Sequence, residues 1–380
     1  MSNAVLVVGA GFAGAVYARA LAERGWRIDI IDRRPHIAGN AFDETAATGT
    51  RVHRYGPHLL HTNNERVVTW LSWFGAFVPY RHRVQAELPD GRCVPLPINR
   101  QTINAVFGAN LPDSAAVQAF LAAQAEPDPA PASAADFLHA RIGRRLTDLF
   151  FRPYTRKMWA LDLEDLDAAV VRRIPLRFDD EDHYFPNDRF QLLPRDGYTR
   201  LFQAILDHPA IRVSPAVGFD RSMLAGYAHC FNSMAIDEYF DSAFGPLPYR
   251  SIRFRHETVP WTYRKGEAAS VNYTDDGPLT RETDWSRLPG HAGQAGAAKT
   301  ITREEPCDYR DNNFERYYPV KTTDGRYDMI YRKYRALAEQ EGKVTFIGRC
   351  GTYQYLDMHQ VINQSLADAA AWADRPAAMA

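Results

Sequence analysis

The chain has 380 residues, a net charge of −1 and 24% charged side chains, so it can bury a large core and divide into two or three domains. That balance gives no long-range field for nucleic acid or an anionic membrane, and any anionic ligand has to be held by a local arginine cluster. The four cysteines, Cys93, Cys230, Cys307 and Cys350, lack metal-ligand spacing and disulfide density; no secretory signal precedes Val5, and no apolar run approaches the roughly eighteen residues of a membrane span, so a cytoplasmic protein without metal is expected.

The first element is a strand, Val5-Leu6-Val7-Val8, leading into Gly9-Ala10-Gly11-Phe12-Ala13-Gly14 and a helix over Ala15 to Arg24. Gly9 permits the turn out of the strand, Gly11 lets the backbone approach a pyrophosphate, and Gly14 lets helix and strand pack closely. A second strand, Arg27 to Ile31, ends in Asp32, where a carboxylate can accept from the adenosine ribose hydroxyls. With both strands, the helix and the acid in place, the pattern is a dinucleotide grip, for NAD or FAD alike.

Further along, Asn63 to Phe74 reads as a helix behind an asparagine cap. Tyr80 to Leu88 and Arg92 to Leu96 flank Asp90-Gly91 as a β-hairpin. Gln101 to about Arg172 is helical, broken by the prolines of Ala125 to Ala132. Ser251 to Ile301 is strand-like, which puts a second sheet outside the nucleotide domain. Val344 to Gly348 reads as a buried strand and Asp357 to Trp372 as a helix, a unit expected to return to the first domain.

Four clusters carry candidate chemistry. His58 and His61 follow Gly56-Pro57, a turn that could lie against a flat ring. Phe150-Phe151-Arg152-Pro153-Tyr154-Thr155-Arg156-Lys157-Met158-Trp159 is either helix core, favoured by spacing, or a slot for a base or sugar. Arg172, Arg173 and Arg177 surround Pro175 on an expected loop, suited to closing on phosphate. Arg281, Tyr317-Tyr318 and the tail Gly348-Arg349-Cys350-Gly351 complete the set. There is no P-loop, HExxH helix, GxSxG elbow or obvious carboxylate pair. The residues thus read as a dinucleotide-binding chain with a phosphorylated second ligand, and leave the reaction open.

In this order the segments GAGFAG (9–14), HIAGN (36–40), YGPHLLHTNN (55–64), PYTRKMW (153–159), RRIPLRF (172–178), HYFPNDRFQ (183–191), IDEYFD (236–241), VNYTD (271–275), TREEP (302–306), YYPV (317–320) and GTYQYLDMHQVI (351–362) resemble the flavin-dependent UDP-galactopyranose mutases nearly end to end. The resemblance implies an α/β fold: a Rossmann-like FAD-binding domain (1–79, 196–244 and 320–380), a small helical domain (101–172) and an antiparallel β-sheet substrate domain (80–100, 173–195 and 245–319). It implies a redox-neutral isomerisation of UDP-galactopyranose to UDP-galactofuranose through a sugar adduct on N5 of reduced FAD, with no protein nucleophile. An external reductant such as NAD(P)H, a nucleotide-sugar substrate, a homodimer or other homo-oligomer, and a place in making cell-surface polysaccharide come with it.

Carried over by position, the resemblance assigns Gly9, Gly11, Phe12, Ala13, Gly14, Asp32, Arg33, Gly39, Asn40, His58, Arg349, Tyr355, Asp357 and Met358 to the cofactor. Phe150, Phe151, Tyr154, Thr155 and Trp159 become the uridine and sugar wall. Arg173, on a mobile loop, and Arg281 become the diphosphate arginines, joined by Tyr184, Tyr318, Tyr355, Asn272 and His82. Arg173, Arg281 and His58 are the expected catalytic groups. The chain departs from the family pattern at Ser233-Met234-Ala235, where Thr-Gly-Pro is usual, and at Ala38, Ala160 and Leu192, where glycine is usual; Cys350 replaces a common leucine. Those departures leave open another sugar nucleotide (a dTDP-6-deoxyhexose or UDP-N-acetylgalactosamine). An FAD oxidoreductase of amine-oxidase type and a non-catalytic nucleotide-sugar binder also remain open.

Overall fold

The computed structural model describes residues 3–168, 171, 176–293 and 296–374. Its first sheet has five parallel strands in the order Ile211–Pro215, Arg27–Asp32, Ala4–Val8, His229–Asn232, Val344–Phe346. Val5, Leu6, Val7, Ile28 and Ile30 are all buried, because a parallel sheet covered on both faces needs apolar residues on successive positions. Helix Phe12–Ala22 starts one turn earlier than expected, with Gly11 as its N-cap, and packs against the C-terminal helix Met358–Ala373. Among the described residues no helix is long and apolar enough to cross a membrane.

The second sheet has seven strands, ordered Tyr318–Pro319, Tyr249–Pro260, Ala298–Asp308, Arg281–Asp284, Ser270–Tyr273, Val84–Glu87, Cys93–Leu96. It is not wholly antiparallel: the hairpin of Val84–Glu87 and Cys93–Leu96 adds to its edge with Val84–Glu87 parallel to Ser270–Tyr273. Phe190–Pro194, expected with the substrate sheet, instead lies between Leu60–Thr62 and Phe77–Pro79. Those two flank the helix Glu65–Ser72, whose Asn64 side chain accepts from the Val67 N–H.

Helices Arg100–Phe107, Ser114–Gln124, Ala134–Leu146 and Arg152–Trp159 form a separate apolar cluster around Ile103, Val117, Leu121, Leu138, Ile142 and Leu146. Asn99, Asp113 and Ser133 each cap a helix by accepting a main-chain N–H, and the proline segment 125–132 is the connection. Between the last two helices, Thr147–Phe151 forms a π-turn. Phe150 and Phe151 are its last two residues, and such turns are frequent at functional sites.

Candidate active site

At the carboxyl ends of the parallel strands the glycine loop forms a cradle made of backbone. A Cβ on Gly14 would fall onto the Gly9 carbonyl oxygen and within 2.9 Å of Val7, so helix and strand touch only because there is none. Gly9 turns with φ +99°, and Gly39 (φ +53°) approaches so closely that its Cβ would sit 2.9 Å from the Gly11 Cα. A Cβ on Gly11 would meet nothing nearer than the Gly39 Cα at 3.7 Å, so this glycine leaves the cradle open. Asp32 is buried and braces the loop: Oδ2 accepts from the Ala10 N–H and Oδ1 from the Arg34 N–H, both at 2.8 Å. Each oxygen keeps a second lone pair, as a ribose partner requires.

Not every residue of the expected cofactor set aims inward. The Phe12 ring packs on Tyr198 and Phe202 (centroids 6.1 and 4.5 Å), which leaves its main chain to the loop. Ala13 lies under Gly348. The Arg33 side chain, 46% exposed, turns outward to Glu315 and Glu238. Its neighbour Arg34, missed in the sequence, is the inward arginine: it pairs with Glu315, donates to Asn40 Oδ1 at 2.9 Å and stacks 4.2 Å over Tyr55. Asp357 caps Met358–Ala373, its N–H bonded to Gln360 Oε1 at 2.8 Å, and Met358 packs against the first core.

His58 lies in the Gly56-Pro57 turn, its Nδ1 bonded to the Gly56 carbonyl at 2.9 Å. Burial pushes its imidazole down to about 4, helped by Arg349 and Arg34. Arg349 reaches over the stacked rings of Tyr318 and Tyr355, 5.1 and 4.8 Å from their centroids. Its Nε and Nη2 are buried without a hydrogen-bond partner, a cost that an anionic or carbonyl ligand would relieve. The open cradle and this guanidinium together fit a dinucleotide lying from the glycine loop to the His58 turn.

Arg281 stands across the site. Its Nε donates to Asn272 Oδ1 at 3.1 Å, and Nη1 lies 3.8 Å from Glu304 Oε1, the residue opposite it in the antiparallel register. Burial works against the charge on Arg281, and Glu304, Tyr154, Tyr184 and Tyr318 more than offset it. Glu304, the second residue missed, is buried with Oε1 lacking a hydrogen-bond partner; burial holds it above the usual carboxylate range despite the guanidinium. A Cβ on Gly56 would lie 3.4 Å from that same oxygen, so Glu304 spans the gap between Arg281 and the His58 turn.

Around Arg281, burial pushes the Tyr154 hydroxyl up to about 12 and the His82 imidazole down to about 3, the latter with help from Arg281 and His61. His82 Nδ1 bonds to the Tyr80 hydroxyl at 3.0 Å, and its carbonyl accepts from the Tyr184 N–H at 2.8 Å. Phe150, Thr155 and Trp159 are nearly fully buried, and Phe151 packs on the same helical core. That burial is what the core reading expects, while Trp159 also meets Tyr318 edge-on at 6.1 Å. His61 is a structural partner, bonded to Asp188 at 2.7 Å and stacked on Phe185 at 3.6 Å. Arg173 lies outside the described residues, as do Arg172 and Pro175.

The sequence profile of UDP-galactopyranose mutase matches residues 149–355, which contain the aromatic helix, Arg281 and Glu304, and that of the NAD(P)-binding Rossmann-like domain matches residues 7–72. A probable UDP-galactopyranose mutase of Klebsiella pneumoniae is 37% identical over 95% of this chain and 92% of its own. The chain belongs to the UDP-galactopyranose mutase family. It is accordingly an isomerase, of the nucleotide-sugar pyranose mutase type. The dTDP-fucopyranose mutase of Escherichia coli is 35% identical over 96% of this chain and 97% of its own. A reduced UDP-galactopyranose mutase structure covers 100% of this chain and 97% of its own, with TM-score 0.77 at 15% identity. Putrescine oxidase shares the fold more loosely, with TM-score 0.58 at 13% identity and coverage of 99% and 100%.

Proposed function

We propose that the protein interconverts UDP-galactopyranose and UDP-galactofuranose with reduced FAD in the glycine cradle, kept reduced by an external reductant such as NAD(P)H. The observation that carries this reading is the cationic Arg281, half-buried among tyrosines and facing the His58 turn across the buried Glu304. When bound, reduced FAD supplies a nucleophilic ring nitrogen, N5, for the anomeric carbon.

Everything else falls to the chain. Arg281, together with Arg173, holds the diphosphate and stabilises the charge that grows on it as the glycosidic bond breaks. Tyr154 and Tyr318 keep their protons because burial lifts their hydroxyls above the ordinary phenol range; they remain donors beside an anionic diphosphate, which Tyr184 and Tyr355 also contact. Phe150, Phe151, Thr155 and Trp159 wall the base, and the neutral His82 meets the sugar with Asn272. The His58 main chain lies against the flavin, and Asp32 takes the ribose.

A second reading, dTDP-fucopyranose as substrate, is favoured by the E. coli relative, nearly as similar as the Klebsiella one. Catalytic efficiencies of the dithionite-reduced enzyme on UDP-galactofuranose and dTDP-fucofuranose decide between them. No turnover of any UDP- or dTDP-sugar in a panel sinks both.

A further inference from the structure

Two histidines outside the expected site set are almost completely buried behind the His58 turn. His53 and His291, 238 positions apart in sequence, bond through their Nε2 atoms at 3.0 Å. His53 Nδ1 faces the main-chain N–H of His58 at 3.0 Å, and His291 Nδ1 faces the Pro289 carbonyl at 2.9 Å. A main-chain N–H only donates and a carbonyl only accepts, so both ends of this chain have a fixed sense. His53 Nδ1 must offer its lone pair, which puts the ring proton on Nε2. That proton is donated to His291 Nε2, and His291 carries its own proton on Nδ1. A second proton on either ring would set N–H against N–H.

The rings around the pair fix its position. His53 packs against Trp285 and Tyr198, with centroids at 4.9 and 5.5 Å, and Trp285 stacks on His291 while its Nε1–H donates to Thr302 at 2.6 Å. Trp285 directly follows the strand Arg281–Asp284. A continuous path of packed and bonded groups therefore runs from the strand that carries Arg281 to the main chain of His58.

We propose that His53 and His291 are positioning residues for the mutase reaction, a one-way hydrogen-bond relay that sets the main chain of the His58 turn relative to the Arg281 strand. The proposal rests on the reading above, in which that turn lies against the flavin. Its test uses full-length protein in two independent ways. In wild type, 15N NMR of the imidazoles should find the Nε2–H form at His53 and the Nδ1–H form at His291 at pH 7; a cationic ring, or the opposite forms, overturns the relay.

Among variants, His53→Leu removes the acceptor, whereas His53→Asn keeps one where Nδ1 stood. His53→Leu should retain flavin, shift the midpoint potential of the bound flavin, and lower kcat on the order of 10- to 100-fold with little change in KM. His53→Asn should restore the wild-type potential and most of kcat, which a general loss of packing would not allow. His53→Leu with unchanged potential and kcat overturns the inference alone. Wild-type protein that binds no flavin overturns the functional reading, and the inference with it. Should His53→Leu not fold, His291→Leu against His291→Gln repeats the comparison, since the glutamine keeps an acceptor near the Nε2 position.

Discussion

The two ends of the site are built by opposite means. The cofactor cradle is made by leaving side chains out: Gly9, Gly11, Gly14 and Gly39 bring backbone segments together where no Cβ fits or none intrudes. The substrate end crowds side chains in, with Arg281 set among Tyr154, Tyr184 and Tyr318 and beside the buried Glu304. One end should therefore fail when volume is added, and the other when charge is removed.

Gly14→Ala is the harshest way to probe that contrast. Strand and helix must separate to admit the methyl group, at a cost on the order of 1–3 kcal/mol or more, and flavin content after purification should collapse. Full flavin occupancy in this variant would mean that the cradle gives way more easily than its geometry says. At the other end, Arg281→Ala should keep its flavin while losing about 2 to 5 kcal/mol in kcat/KM. Glu304→Gln should lose less, because Arg281 stays cationic among the tyrosines. Unchanged steady-state kinetics of Arg281→Ala would remove the arginine from the reaction.

The nucleotide half was largely legible in the sequence because its signals are local. The glycine spacing, the acid that ends the second strand and the Asn64 cap each lie within a single element or turn, as does the Asp90-Gly91 hairpin of the substrate sheet. What escaped is set by register and by long-range packing. Glu304 matters because the antiparallel ladder puts it opposite Arg281, and His53 meets His291 only through the folded sheet layers. Arg33 was chosen over Arg34 because motif position cannot say which of two adjacent side chains turns inward. Phe190–Pro194 joined the wrong neighbours for the same reason: strand pairing is not written in the strand.

A gentler probe uses pH. His58 and His82 have imidazoles held down to about 4 and about 3 by burial, against an ordinary value of about 6.5 in the unfolded chain. The unfolded state therefore takes up protons first, and the stability these rings contribute is whole above about pH 6.5 and is lost as pH falls toward 4. Each ring adds up to about 1.4 kcal/mol per pH unit across that window. Urea unfolding at pH 7, 6 and 5 should show the slope, and His82→Gln should flatten it; an identical slope in that variant would contradict the buried neutral form.

The smallest expected effect concerns the departures from the family pattern. Ala38 and Ala160 sit at φ +72° and +54°, in the left-handed region where glycine is usual, a conformation that costs a residue with a Cβ about 1–2 kcal/mol. Ala38→Gly and Ala160→Gly should each stabilise the protein by up to about 1 kcal/mol, after glycine's greater freedom in the unfolded chain is counted. Leu192 is different, an extended strand residue paired opposite Leu60 and Pro79, and Leu192→Gly should destabilise. Ser233 fills the space above Gly9 and donates to the Val8 carbonyl at 2.8 Å, so the cradle there is narrowed by a side chain and braced by it.

The most direct test of the central claim is an anaerobic assay of UDP-galactofuranose with the FAD-loaded protein, before and after dithionite reduction, followed by separation of the two sugar nucleotides. The account predicts conversion to UDP-galactopyranose only after reduction, with no net flavin oxidation during turnover. Equal conversion by the oxidised protein, or flavin oxidation that keeps pace with product, would contradict it.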